Sequence, residues 1–235
     1  MGERCRVVSL VPSSTETLLA LGADVVACTR FCEQPGLRHV GGTKNPDLDA
    51  IVELRPDVVV MDREENRRED HDELLARGID VYASRVVSVD DAMSAIDDLA
   101  VLVGSSRRRA EQIPDVAALG AVAFVPIWRR PWMSIGAATY GASVLGHLGV
   151  ELVTSGSVDP YPTVDLADIS AQAPDLVVVP SEPYDFEERH LDELRAAMPD
   201  ASIVSVDGRD LFWWGIRTPG AIGRLADVLA ITRGR

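Results

Sequence analysis

Asp47-Leu48-Asp49-Ala50-Ile51, followed by Pro56-Asp57-Val58-Val59-Val60 and then Glu64, is the stretch that decides the fold, because the chain carries it twice. Asp165-Leu166-Ala167-Asp168-Ile169, then Pro174-Asp175-Leu176-Val177-Val178-Val179 and Glu182, repeats it with identical internal spacing. Each copy reads as a short helix, a proline-aspartate junction and a strand apolar throughout, as in a parallel sheet covered on both faces. A weaker echo relates Leu21-Gly22-Ala23-Asp24-Val25-Val26 to Leu148-Gly149-Val150-Glu151-Leu152-Val153. Agreement in order and spacing over several elements points to two related α/β lobes.

Outward from the repeat, short β-branched runs alternate with helical patterns, the signature of parallel sheets covered by helices. In the first half, strands are predicted at Val7 to Val11, Val25 to Thr29, Asp57 to Met61 and Asp80 to Ala83. Helices are predicted after Ser13, at Asp47 to Leu54 and at Arg67 to Arg77, with Ser13 and Glu16 forming a capping box for the first. In the second half, strands fall at Ala121 to Pro126, Glu151 to Val153, Asp175 to Val179 and Ser202 to Val206. Its helices fall at Thr139 to His147, Leu166 to Ala173, Phe186 to Ala197 and Pro219 to Ile231. Val89 to Val103 and Ser105 to Ile113 have helical periodicity between the copies, interrupted by Gly104. The expected organisation is two Rossmann-like lobes, 1–88 and 114–235, joined by a linking helix over 89–113, with a ligand cleft between the lobes.

The chain has 235 residues, enough for two small cores, and 46% hydrophobic against 26% charged residues is the balance of a soluble globular protein. A net charge of −14 repels phosphate backbones and anionic headgroups, which argues against nucleic acid and membrane surfaces as partners. No apolar run is long enough to span a bilayer. Met1 to Arg6 leads straight into the first strand without the layout of a signal peptide, so the expected location is cytoplasmic as encoded, or periplasmic or cell-surface if an upstream export signal is omitted. Cys5, Cys28 and Cys32 are odd in number and lack metal-ligand spacing, and read as free thiols.

Catalytic signatures are sparse. The sequence has no GxSxG, HExxH, Walker loop or GxGxxG after the first strand, and His39, His71, His147 and His190 have no second ligand at metal spacing. No catalytic residue, metal or required cofactor is assigned. The aromatic residues are more telling: only 5% of the chain, they gather in loops after strands at Phe31, Trp128, Trp132, Tyr161, Tyr184, Phe212, Trp213 and Trp214. Ligands of open α/β sheets bind outside the carboxyl ends of the strands, and flat side chains there suit a bulky, partly apolar ligand. If Trp213 and Trp214 lie in a strand, one of the two is exposed, since neighbours point to opposite faces.

Arg6-Val7-Val8-Ser9-Leu10-Val11-Pro12-Ser13-Ser14-Thr15-Glu16, followed by Leu21-Gly22, resembles the opening of the class III solute-binding proteins, as does Leu48 to Val60 with its Leu54-Arg55-Pro56-Asp57 turn. These receptors for vitamin B12, ferric siderophores, haem and metals have two lobes joined by one long helix, and the chain is most similar to the B12-binding branch. The resemblance implies ligand contacts at Phe31, Trp132, Tyr161 and Trp213 or Trp214. Two further aromatic positions of that branch fall near Thr43 or Lys44 and on Asp62, which implies a more polar pocket with Lys44, Asp62, Arg63, Arg85 and Arg217 at its rim. Docking on an ABC permease is implied at Asp49 in one lobe and, in the other, at Ala167 with Asp165 and Asp168 beside it.

The expected function is therefore a non-catalytic, monomeric solute-binding protein for a cobalamin-like corrinoid, haem or ferric siderophore, serving an ABC importer or acting as a cytoplasmic carrier. The alternative is an enzyme or sensor acting on a corrinoid or other tetrapyrrole, for which Glu33, Asp62, Glu64 and Glu182 are the candidate acids or bases.

Overall fold

The computed structural model describes residues 5–106 and 112–233. The chain forms two compact units, the first comprising Met1–Val86, Asp90–Glu111 and Trp214–Ile216, the second Val87–Val89, Gln112–Trp213 and Arg217–Arg235.

In the first unit the order is β1 (Arg6–Ser9), α1 (Pro12–Ala20), β2 (Asp24–Cys28), β3 (Arg38–His39), a small hairpin of β4 (Gly41–Gly42) and β5 (Asn45–Pro46), α2 (Leu48–Leu54), β6 (Val58–Asp62), α3 (Arg68–Ala76), β7 (Val81–Ser84) and α4 (Val89–Leu102). A parallel sheet runs β3-β2-β1-β6-β7. In the second the order is β8 (Ala121–Phe124), β9 (Pro126–Trp128), β10 (Met133–Ser134), α5 (Tyr140–His147), β11 (Val150–Leu152), α6 (Leu166–Ser170), β12 (Leu176–Pro180), α7 (Glu188–Ala197), β13 (Ser202–Val206), α8 (Gly208–Phe212) and α9 (Thr218–Arg233). Its parallel sheet runs β11-β8-β12-β13, the arrangement of β2-β1-β6-β7 again. The two sheets therefore share a topology as well as a motif, each reversing direction beside its first strand, between β1 and β6 and between β8 and β12.

The repeated residues do the same work twice. Asp47 caps α2 by accepting from the Ala50 N–H at 3.0 Å, and Asp165 caps α6 by accepting from the Ala167 N–H at 2.7 Å. Each helix is followed by a residue in the left-handed region, Arg55 (φ 45°) and Ala173 (φ 50°), which swings the chain into the proline. The next aspartate then ties the new strand to the first strand of its sheet. Asp57 Oδ2 accepts from the Arg6 N–H at 2.7 Å while its own N–H donates to the Arg6 carbonyl at 2.9 Å. Asp175 does likewise with Val122, at 2.8 Å in both directions. The strands that follow, β6 and β12, are buried at every residue, as their unbroken apolar sequence predicts.

Beneath the first sheet Ile51 and Leu74 pack with Val8, Val59 and Met61, and beneath the second Ile169 and Leu194 pack with Phe124, Val177 and Val179. The echoed glycines close α1 and α5 with positive φ, Gly22 at 78° and Gly149 at 69°.

Several expectations change. The capping box at Ser13 and Glu16 does not form: α1 starts at Pro12 with Val11 as N-cap and no side-chain cap. Proline at the first helical position needs no N–H partner, and Ser13 and Ser14 already lie in the first turn, buried. α4 ends at Leu102, Gly104 turns with φ 62°, and Ser105 donates from its hydroxyl to the Leu21 carbonyl; of the helix expected over Ser105 to Ile113, residues 107–111 lie outside the described residues. Trp213 follows α8 in extended conformation, and Trp214, in no strand, is buried.

Candidate ligand-binding site

In the first unit, the carboxyl ends of β1 and β6 are fixed by one side chain. Asn66 Nδ2 donates to the carbonyls of Thr43 at 2.9 Å and Leu10 at 3.4 Å, and its Oδ1 accepts from the Asp62 N–H at 2.8 Å. Asp62 ends β6 with a buried carboxylate, which accepts from the Ser84 hydroxyl at 2.7 Å and the Glu64 N–H at 2.9 Å. Burial pushes this carboxyl above the ordinary aspartate value, while the Ser84 and Glu64 hydrogen bonds and the charge of Lys44 oppose that shift. Lys44 donates from Nζ to the Glu64 carbonyl at 2.6 Å.

Beyond Asp62 opens a cavity of about 410 Å³ lined by Arg63, Arg67, Arg68, His71 and Asp72 among others. Phe31, in the loop after β2, is 51% exposed, with the Arg30 guanidinium 4.8 Å from its ring centroid. Arg85 is exposed just beyond β7 and does not line that cavity. Asp62, Arg63, Phe31 and Arg85 lie in the segments at or just after the carboxyl ends of strands, and Arg68, His71 and Asp72 on α3 complete the cavity wall. Behind Phe31, Cys28 and Cys32 are buried free thiols, and Cys32 Sγ lies 3.2 Å from both the Thr15 and Thr29 hydroxyls.

In the second unit the aromatic residues divide into exposed and supporting rings. Trp128 is 45% exposed and Tyr161 37% exposed. Trp132 is 8% exposed, lying parallel to Phe186 at 5.9 Å with the Arg129 guanidinium 4.9 Å from its centroid, so most of its surface is covered. Trp213 is held in place, its Nε1 donating to Glu182 Oε1 at 2.6 Å, with the Arg209 and Arg217 guanidiniums 5.2 and 5.3 Å from its ring. Arg217 pairs with buried Asp210 at 3.3 Å, and Asp210 also takes a two-pronged bond from Arg224 at 2.7 Å on each oxygen. Tyr140, at the start of α5, shares a hydrogen bond with Thr218 at 2.9 Å, and burial pushes its phenol up to about 12.

The tertiary structure gathers two of the loop aromatics with groups that the sequence reading did not connect to them. Trp128 meets Tyr184 edge to face at 5.1 Å, and Tyr184 packs on Phe186 and His190. A cavity of about 180 Å³ beside them is lined by Arg129, Arg130, Tyr184, Arg189, His190 and Glu193. The clustered Arg129-Arg130-Pro131-Trp132 is the one signal in the sequence that marks this spot.

Asp49 sits in the first turn of α2, its exposed carboxylate accepting from Arg77 Nη1 at 2.6 Å. Asp168 occupies the first turn of α6, exposed, while Asp165 is used as the N-cap of that helix. Of the candidate acids and bases, Asp62 and Glu182 are engaged as described. No group of three metal-ligating side chains occurs among the described residues, and no described helix is long and apolar enough to cross a membrane.

The family described as periplasmic binding protein matches residues 7–201. The chain is similar to the vitamin B12-binding protein of Yersinia pestis (strain Pestoides F), at 26% identity over 192 residues that span 74% of this chain and 69% of that protein. Among solved structures it resembles the periplasmic vitamin B12 binding protein BtuF of Vibrio cholerae, with a TM-score of 0.78 at 18% identity over 99% of both chains. The periplasmic haem binding protein HutB of Vibrio cholerae gives a TM-score of 0.77 at 21% identity, covering 95% of this chain and 98% of that one. At these identities the structural likeness is one of fold.

Proposed function

Since the chain belongs to the periplasmic binding protein family, we propose that it is a non-catalytic receptor for a metal-bearing ligand of the corrinoid, haem or ferric-chelate class. The observation that carries this reading is the pairing of exposed rings with guanidinium groups at strand ends: Phe31 with Arg30 in the first unit, and Trp128 with the arginine-lined cavity beside it in the second. Rings supply dispersion and stacking to an apolar macrocycle, while arginines recognise its anionic or amide substituents. Relatives whose names specify vitamin B12 and haem support the ligand class.

In this reading Phe31, with Arg63 and Arg85 for polar contacts, is the ligand-facing group of the first unit, and Tyr161 is that of the second. In the second unit Trp132, Trp213 and Arg217 support the exposed rings from behind; in the first, Asp62 anchors the loop after β6 and Trp214 is buried support. Asp49 and Asp168 present carboxylates to an ABC permease, which makes the chain the solute-collecting component of an importer; cell fractionation distinguishes this from a cytoplasmic carrier.

Titration with cobalamin, cobinamide, haem and a panel of ferric siderophores tests the proposal by absorbance. At least one is expected to give a saturable spectral shift without turnover, and Phe31→Ala to weaken it. Flat titrations with every ligand at micromolar protein overturn the reading, and chemical conversion of a bound ligand favours an enzyme.

A further inference from the structure

His190 is 6% exposed, and both of its ring nitrogens face donors. Nδ1 accepts from the Glu187 N–H at 3.0 Å, completing the cap of α7, so in the neutral ring the proton resides on Nε2. Arg189 Nε is directed at Nε2 from 3.3 Å, so the Glu187 N–H and the Arg189 Nε–H both address a ring that, when neutral, accepts at one nitrogen only. With the ring lone pair used to cap α7, the Arg189 Nε–H is the donor left without an acceptor on the ring. The cavity of about 180 Å³ opens beside this pair.

Its charge balance has the same sign. Arg129 is taken by Glu193 through two bonds of 2.9 and 2.7 Å, and Arg189 gives Nη2 to Glu187 at 2.7 Å. Arg130, exposed at the rim with φ 74°, has no ion pair among the described residues. Three guanidiniums against two carboxylates leave one positive charge, and the Tyr184 hydroxyl adds a donor at the wall. The volume is too small for a macrocycle, whose pockets run to several hundred Å³, and suits a single compact group.

We propose that this cavity is an oxyanion subsite for one carboxylate or phosphate group, whose oxygens accept from His190 Nε2, Arg189 Nε and Arg130. Trp128, edge to face with Tyr184 at the rim, offers a surface for the flat body that carries the anion. That last step rests on the receptor reading above, whereas the anion site does not.

The test runs in two arms on the full chain at low ionic strength. In the first, inorganic phosphate and acetate are titrated while the His190 ring resonances are followed by NMR. A saturable shift is expected, with affinity about tenfold or more weaker in Arg130→Ala and Arg189→Ala, since each loses a charge-assisted bond. Which of the two anions binds tighter identifies phosphate or carboxylate as the natural group. Absence of a saturable shift, or one unchanged in both variants, overturns the subsite; circular dichroism verifies that the variants fold.

In the second arm haem is compared with its dimethyl ester, and cobalamin with cobinamide, which lacks the nucleotide phosphate. The anionic member of one pair is expected to bind at least tenfold tighter, a preference lost in Arg130→Ala. Anion binding with no macrocycle bound, and with flat titrations of the ferric siderophores as well, overturns the receptor reading and leaves the subsite standing. Macrocycle binding with equal affinity within both pairs and a silent first arm does the reverse.

Discussion

The end of β6 and the end of β12 start from the same repeat and finish differently. Met61-Asp62-Arg63-Glu64 and Asn66 correspond in spacing to Val179-Pro180-Ser181-Glu182 and Tyr184. In the first unit the strand ends on a buried carboxylate held by Ser84 and Glu64, and Asn66 ties neighbouring loops together. In the second it ends on Pro180, and Tyr184 joins a ring cluster with Trp128, Phe186 and His190. The preceding residues, from the capping aspartate to the aspartate that secures the strand, do equivalent work in both. The two modules are thus alike in the half that builds a sheet and unlike in the half that leaves it, the division expected where loops carry function on a rigid scaffold.

Truncating the shared core challenges this comparison most severely. Ile51→Ala and Ile169→Ala remove equivalent buried side chains and are each expected to cost about 2–5 kcal/mol. Urea unfolding measures both, and a neutral result at one position breaks the equivalence of the two modules.

The strand ends should differ in their response to pH. Burial raises the Asp62 carboxyl above its ordinary 3.8, so the folded chain holds that proton more tightly than the unfolded one. The resulting stability is fully present below 3.8 and is lost as pH rises through the raised value. Asp62→Asn is expected to flatten that decline, and Pro180→Ala, at the matching position, to leave the slope unchanged; thermal melts across the acid range compare them.

Smaller effects are expected at the junctions. Asp57→Ala and Asp175→Ala each remove the acceptor for a first-strand N–H, at about 1 kcal/mol, and amide hydrogen exchange at Arg6 and Val122 localises the loss. Arg55→Gly and Ala173→Gly relieve a left-handed residue at equivalent turns and are expected to stabilise by about 0.5 kcal/mol in thermal melts, a gain at both positions confirming that the turns are one device used twice.

The legibility of the chain follows the same division. The sheet-forming strands and most helices were readable within a residue or two because period, proline and glycine act locally, whereas α6 ends three residues early and the short elements β3, β4, β5, β9, β10 and α8 carry no period long enough to read. Reading Ser13 as a cap failed because the serine-glutamate pattern ignores the proline that starts the helix one residue earlier. In the candidate site, Phe31 and Tyr161 were readable as loop aromatics and are exposed, whereas Trp132 and Trp214, equally plain in sequence, are buried. Aromatic residues serve cores and surfaces alike, and no local pattern separates the two uses.

By itself, the sequence determined two parallel α/β sheets built on a repeated motif, a strongly acidic chain and the family to which it belongs, because hydrophobic period and turn chemistry are properties of neighbouring residues. Only the tertiary structure decided which rings face solvent and that Arg130, Tyr184 and His190 line one cavity. Those residues are separated by up to 60 positions and are brought together by loops from different strands, so their meeting depends on packing that no stretch of sequence contains.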